Sequence, residues 1–248
     1  SELHGVELDS ITGRIAKQLY PEAEITVAGF ETTNRPGFYD LAVGNVPFGN
    51  YQVFDPEYNH LGFSIHNYFA AKMLDQVRPG GIMAFVTSRY TMDARDESVR
   101  RYLAERGELL GAIRLPNSAF LANAGTEVVT DIIFLQRREA PLNLGSPTNR
   151  RFVGERRSDG VSELSGLPGS EGYAVRDDDP DWVHVGETED GFKVNQYFLD
   201  HPEMVLGTPT AESTQYGRQD YTVAPIEGAD LAEQLHEAIP VSYTHLTL

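Results

Sequence analysis

Apolar positions along the chain fall into short runs separated by stripes at helical spacing. Leu3–Leu8 (LHGVEL) is an apolar run that ends in acid, as a parallel strand does. Ile11, Ile15 and Leu19 then recur every fourth residue, one face of a helix, with Asp9 or Ser10 as the N-cap and Pro21 as the stop. Glu24–Phe30 (EITVAGF) predicts the next strand. Tyr39–Asn45 (YDLAVGN) predicts another, apolar enough for a sheet covered on both faces. A helix over Phe63–Val77 carries Ile65, Phe69, Met73 and Val77 on one stripe. Arg78–Gly81 (RPGG) ends it, and Gly81–Ser88 (GIMAFVTS) begins a strand. Ser98–Leu109 predicts a charged helix, Leu109–Pro116 a strand, and Glu127–Arg137 a longer strand rich in β-branched residues. Strands alternating with helices at this spacing predict an α/β fold with a doubly wound, largely parallel sheet.

After Arg138 the pattern loosens. Residues 139–150 and 158–172 are rich in Gly, Pro and Ser, as linkers are. Further on, Val194, Tyr197 and Phe198 stand at helical spacing, closed by Pro202. The expected division is an α/β domain over 1–140 and an irregular acidic extension over 141–240. The last eight residues, Val241–Leu248 (VSYTHLTL), resemble the translation of a sequencing adaptor read through into the frame, and are set aside from the fold. At the other end the chain starts without Met and opens almost at once into a strand and a helix, which gives the expectation of a domain truncated at its N-terminus.

Composition narrows the function classes. Cysteine is absent, which excludes disulfides and Cys-based zinc sites. No apolar run approaches the roughly 18 residues of a membrane span, and no export signal opens the chain, so a cytoplasmic, non-membrane protein is expected. His60 and His66 have no partner at metal spacing and read as surface or packing residues. The net charge of −17 runs against strong autonomous binding to nucleic acid. That charge is uneven, however. Residues 1–140 hold 13 Lys and Arg against 18 Asp and Glu, and residues 141–248 hold 7 against 19.

The candidate chemistry sits where the third apolar strand stops, in Asn45-Val46-Pro47-Phe48. In open α/β sheets ligands bind at the carboxyl ends of strands. An exocyclic amine on a nucleobase has a delocalised, poorly nucleophilic lone pair. An Asn side-chain oxygen and a backbone carbonyl can each accept one of its N–H bonds and favour localisation of that lone pair. Pro47 fixes φ and lacks an N–H, leaving carbonyls to face inward. Phe48 offers a stacking face for a planar base taken out of its duplex. Thr87 and Ser88, at another strand end, are candidates for substrate contact or for helix capping. Arg114–Glu127 is long for a connection and reads either as a cleft lining or as an ordinary loop.

These residues carry a resemblance. Gly44–Gly49 (GNVPFG) after YDLAV resembles the Asn-Pro-Pro-Phe/Tyr motif of S-adenosylmethionine-dependent amino-group methyltransferases, and the wider pattern is similar to adenine-N6 DNA methyltransferases with a Rossmann-like fold. The resemblance implies that Glu7, at the end of GVELD, grips the cofactor ribose, and that Phe30 lies against the adenine ring. Gly29 stands where such proteins often carry an Asp for the adenine amine, with Glu31 close by. The second motif position is Val46 rather than Pro, and the family's glycine-rich first motif is expected before Leu3. Residues 63–137 and 194–207 further resemble large methylase–helicase polypeptides of mobile elements, which implies DNA as substrate and a helicase domain in the same polypeptide. The same short motif also serves methylation of protein glutamine and of RNA guanine. A non-catalytic methyltransferase-fold module beside a helicase is a further alternative. A nicotinamide dehydrogenase predicts a Gly-x-Gly-x-x-Gly turn, and none is present.

Overall fold

A computed structural model describes residues 2–121, 127–144, 179–213 and 219–243. Strand β1 (His4–Glu7) leads into helix α1 (Ser10–Leu19), where Asp9 caps the helix by accepting from the backbone N–H of Ile11 and of Thr12, at 3.1 and 2.7 Å. The apolar stripe of α1 does not face the sheet, for Ile11, Ile15 and Leu19 are exposed. The reason lies on the opposite face of the helix. Gly13 is buried against Val27, so close that a Cβ there would meet Val27 Cγ2 at 2.6 Å. Strand β2 (Glu24–Val27) pairs parallel with β1, in the register Glu7 to Val27.

The central sheet has four strands: β3 (Tyr39–Asn45), β4 (Val77–Ser88), β5 (Gly107–Leu115) and β6 (Thr130–Arg137), in the order β3-β4-β6-β5. The β3–β4 pair is parallel, but β6 runs antiparallel to both of its neighbours. The sheet is therefore mixed, with β5 and β6, consecutive in the chain, lying side by side as an antiparallel pair. Among the described residues β3 pairs only with β4. Its Leu41 and Val43 are exposed, Val43 to 71%, rather than covered on both faces as the sequence predicts. Helix α2 (Ile65–Gln76) hands over directly to β4 at Val77. Arg78–Gly81 lie within that strand as an irregularity, where the register steps from Tyr39–Val77 to Leu41–Ile82.

A short helix α3 (Tyr90–Asp93) follows β4, and α4 (Ser98–Arg106) packs against α2 and β5. The residues from 179 onward join the same core. Trp182, Val183, Val194, Phe198, Met204, Leu206, Tyr221 and Val223 are buried together with Phe85, Ile113 and Leu135 of the sheet. A small antiparallel pair, β7 (Val185–Glu187) and β8 (Lys193–Asn195), precedes α5 (Gln196–Asp200). Val194 thus lies within a strand, and Asn195, which ends that strand, caps the helix by accepting from Tyr197 N at 3.0 Å. A hairpin of β9 (Thr208–Ser213) and β10 (Gln219–Ala224) leads to α6 (Leu231–Tyr243). Val241–Tyr243 are the end of α6, and the rest of the segment expected to be read-through, 244–248, lies outside the described residues. Among the described residues no helix is long and apolar enough to cross a membrane.

Candidate functional site

The expected residues sit at or just beyond the carboxyl ends of β1, β2 and β3. Asn45 is the last residue of β3 and is exposed; its amide makes no hydrogen bond to another described residue. The turn behind it is fixed. Val46 is buried and donates its backbone N–H to Val86 O at 3.1 Å, which anchors the motif to the neighbouring strand. Pro47 is half-buried, and Phe48 presents 41% of its surface. The bulky residue at the second motif position is thus the one that packs, and the amide and the ring on either side are left available. Tyr51 and Phe54 are exposed in the loop that follows, so three aromatic rings stand free within seven residues.

Glu7 and Phe30 lie at the ends of the β1–β2 pair. Glu7 Oε1 accepts from Asp9 N at 2.8 Å, so Oε2 remains for a second donor such as a ribose hydroxyl. Phe30 opens a 3₁₀ turn (Phe30–Thr32) and stacks on Phe69 of α2, with ring centroids 4.9 Å apart and planes at 26°. One face of Phe30 is therefore committed to the core. The carboxylate of Glu31 folds back over Gly29, into the volume that a side chain at position 29 would fill. A carboxylate thus stands over position 29, although the residue there is glycine.

The two groups of residues are joined through α2, and this junction was not foreseen from the sequence. Lys72 is 4% exposed. Its ammonium donates to Asp55 Oδ2 at 2.7 Å and to the backbone carbonyl of Glu31 at 3.0 Å. Tyr68 donates its hydroxyl to the same Asp55 oxygen at 2.8 Å. Burial pushes the Asp55 carboxyl up, but Lys72 and Tyr68 outweigh it and hold the group below its ordinary value. A signal for this was present: Tyr68, Lys72 and Gln76 are spaced by four along the helix, and Lys72 interrupts the otherwise apolar run Phe69–Leu74.

Below the end of β4 lies a second polar cluster. Arg114, fully buried, donates to both oxygens of Asp131 at 2.8 Å and to Asp93 at 2.9 Å. Burial lowers its pKa, yet the two carboxylates outweigh this and hold it well above the ordinary value. Arg89 bridges Asp93 and Asp220 and lies 4.4 Å from the ring of Tyr90. Thr87 is buried and hydrogen-bonded to Thr91, so it does not reach a cleft. Ser88 both accepts from Tyr90 N and lines a cleft of roughly 240 Å³ with Arg89, Tyr90, Glu127 and Asp220. Of the long connection after Arg114, Arg114 itself belongs to the core, Glu127 borders this cleft, and 122–126 lie outside the described residues. His60 is exposed in a 3₁₀ turn, and His66 is half-buried beside Ser64, its pKa lowered by burial. Among the described residues no group of three or more acidic or His side chains is placed to hold a metal ion.

No protein-family model matches the chain. A curated relative, the defense against restriction protein B of Escherichia phage P1, is 34% identical over 143 residues, which is 55% of this chain. The chain spans only 6% of that relative's length. Among solved structures, the M protein of the type I restriction enzyme EcoKI is 20% identical, with a TM-score of 0.44 over 54% of this chain and 31% of that one. The N-methyltransferase NodS from Bradyrhizobium japonicum WM9 is 14% identical, with a TM-score of 0.38 over 56% of this chain and 74% of that one. The chain itself is a mixed α/β protein built on a central sheet.

Proposed function

We propose that this chain carries the amine-holding and part of the cofactor-holding machinery of an S-adenosylmethionine-dependent adenine-N6 DNA methyltransferase. The observation that supports this most directly is the end of β3, where Val46 is buried and leaves the Asn45 amide and the Phe48 ring available. S-adenosylmethionine supplies an electrophilic methyl group when bound. Glu7 Oε2 would accept from a ribose hydroxyl, the exposed part of the Phe30 ring would lie against the adenine, and the Glu31 carboxylate over Gly29 would accept from the adenine amine.

On the substrate side, Asn45 Oδ1 and the Pro47 carbonyl accept the two N–H bonds of a flipped adenine's amine, while Phe48 stacks on the base. Holding both protons in this way directs the nitrogen lone pair toward the methyl group. No strong general base is needed, because the proton leaves after the nitrogen has become cationic, when it is acidic. The phage relative's name places that protein in defense against restriction, and the same setting is proposed here, with DNA as substrate and a helicase domain in the complete polypeptide.

Replacing Asn45 with Ala in the complete protein is expected to abolish methyl transfer to DNA and to leave S-adenosylhomocysteine binding nearly intact. Radiolabel transfer and calorimetry read the two arms. Unchanged turnover in that variant would remove the assignment. Absence of transfer in the parent protein, with cofactor binding kept, would favour a non-catalytic module of methyltransferase fold.

A further inference from the structure

Lys72 has an environment that a lysine placed only for packing does not need. Its ammonium has three N–H bonds. One goes to Asp55 Oδ2 and one to the carbonyl of Glu31. Around it stand the rings of Phe30, Tyr58 and Tyr68, with centroids 5.5, 5.7 and 6.0 Å from Nζ. The two acceptors belong to segments far apart in sequence. Glu31 is in the turn that follows β2 and carries Phe30. Asp55 lies seven residues beyond Phe48 and organises the loop that follows the motif: its carbonyl accepts from Tyr58 N at 3.0 Å and Asn59 N at 2.8 Å, and its Oδ1 accepts from Glu57 N at 3.2 Å. A second contact reinforces the first side, where Gln76, one turn further along α2, donates to Thr33 Oγ1 at 2.9 Å.

We propose that Lys72 is a positioning residue that couples the turn carrying Phe30 and Glu31 to the loop that follows Asn45–Phe48, so that the methyl donor and the amine are held by parts fixed to one buried cation. The proposal rests on the functional reading of those two segments. The choice of lysine follows from chemistry. A neutral side chain at this position could not neutralise Asp55, and a buried carboxylate left alone is costly. A shorter cation could not reach both acceptors. The three rings make the slot tolerant of charge without water. Lys72 acts through the carbonyl of Glu31 and the carboxylate of Asp55.

The test separates coupling from simple stability. Lys72→Met alone leaves Asp55 buried and unpaired and is expected to destabilise the fold. The double variant Lys72→Met with Asp55→Asn removes both charges, and a neutral replacement of a buried ion pair often restores stability. In the complete protein, that folded double variant is expected to bind S-adenosylhomocysteine about tenfold more weakly than the parent, a typical size for coupling between two sites. Its amide hydrogens at Thr32 and Thr33, and at Tyr58 and Asn59, are all expected to exchange faster than in the parent. Parental affinity in a folded double variant overturns the proposal. So does faster exchange confined to one of the two segments. If the parent itself does not bind S-adenosylhomocysteine, the cofactor reading fails, and the exchange pattern still decides whether Lys72 couples the two segments.

Discussion

Phe48 and Phe30 are both aromatic residues at strand ends, and their surroundings assign them different work. Phe30 has a partner for one face in Phe69, whereas Phe48 is partly free and stands in a loop with Tyr51 and Phe54. Stacking of a nucleobase on an aromatic side chain is worth about 1–3 kcal/mol by alanine substitution. Phe48→Ala is therefore expected to weaken binding of an oligonucleotide containing the target adenine by roughly 5- to 150-fold. Thermal stability should be almost unchanged, since the ring gives up little buried area. Titration by fluorescence anisotropy measures the first quantity and a melting curve the second. Equal affinity in variant and parent would mean that the base stacks elsewhere, with Tyr51 and Phe54 the next residues to replace.

At the scale of elements, the joint between α2 and β4 is the point where helix and sheet are set against each other. Gly81 sits in the irregularity opposite Asp40, and a Cβ there would lie 2.8 Å from Asp40 O, 2.7 Å from Val77 Cγ1 and 3.0 Å from Arg78 O. Two of those atoms are backbone oxygens and cannot move without moving a strand. Gly81→Ala is expected to lower stability by about 1–3 kcal/mol, as overpacked sites do, seen as a lower urea midpoint with an unchanged slope. An unchanged midpoint would mean that the β3–β4 register is looser than the structure has it. The sequence shows this element pattern well where turn chemistry is strong. Asp9 and Pro21 bound α1, and β1, β2, β3 and β6 fall within the apolar runs, whereas β4 begins four residues before its run, at Val77, and β5 two residues before its run, at Gly107. It does not show which face of a helix is buried. Ile11, Ile15 and Leu19 form a regular stripe, but the close approach of Gly13 to Val27 turns the other face to the sheet. It also does not give strand direction, because an apolar run reads alike either way, and β6 runs against both of its neighbours. For the candidate site, the motif Asn45–Phe48 was legible because its chemistry is local. Lys72 and Asp55 were not, because their meaning arises only when residues separated by 41 and 17 positions meet around one ammonium.

Across the whole molecule, the ionic contacts between the first part of the chain and residues from 179 onward run largely through α4. Arg101 donates to Asp179 at 2.6 Å and to Glu97 at 3.1 Å, and Glu97 faces His184 Nδ1 at 3.1 Å. Arg100, fully buried, donates to the carbonyl of Val183 at 2.7 Å. Burial raises the pKa of Glu97, but His184 and Arg101 outweigh it, so the folded value lies below the ordinary 4.5. A carboxyl whose folded pKa is depressed stabilises the fold fully above its unfolded pKa, and this stability is lost as pH falls through the folded value. Acid is therefore expected to loosen the 179–206 segment from α4 below pH 4.5, not near neutrality. The protein carries its own reporter, because the single tryptophan, Trp182, is buried in that segment between Asp179 and His184. Its emission should shift to longer wavelength as pH falls below that value. Glu97→Gln removes the titrating group and should flatten the pH dependence of stability in that range, at a cost in stability near pH 7. A red shift already complete at pH 6 in the parent would mean that a group other than a carboxylate holds the two parts together.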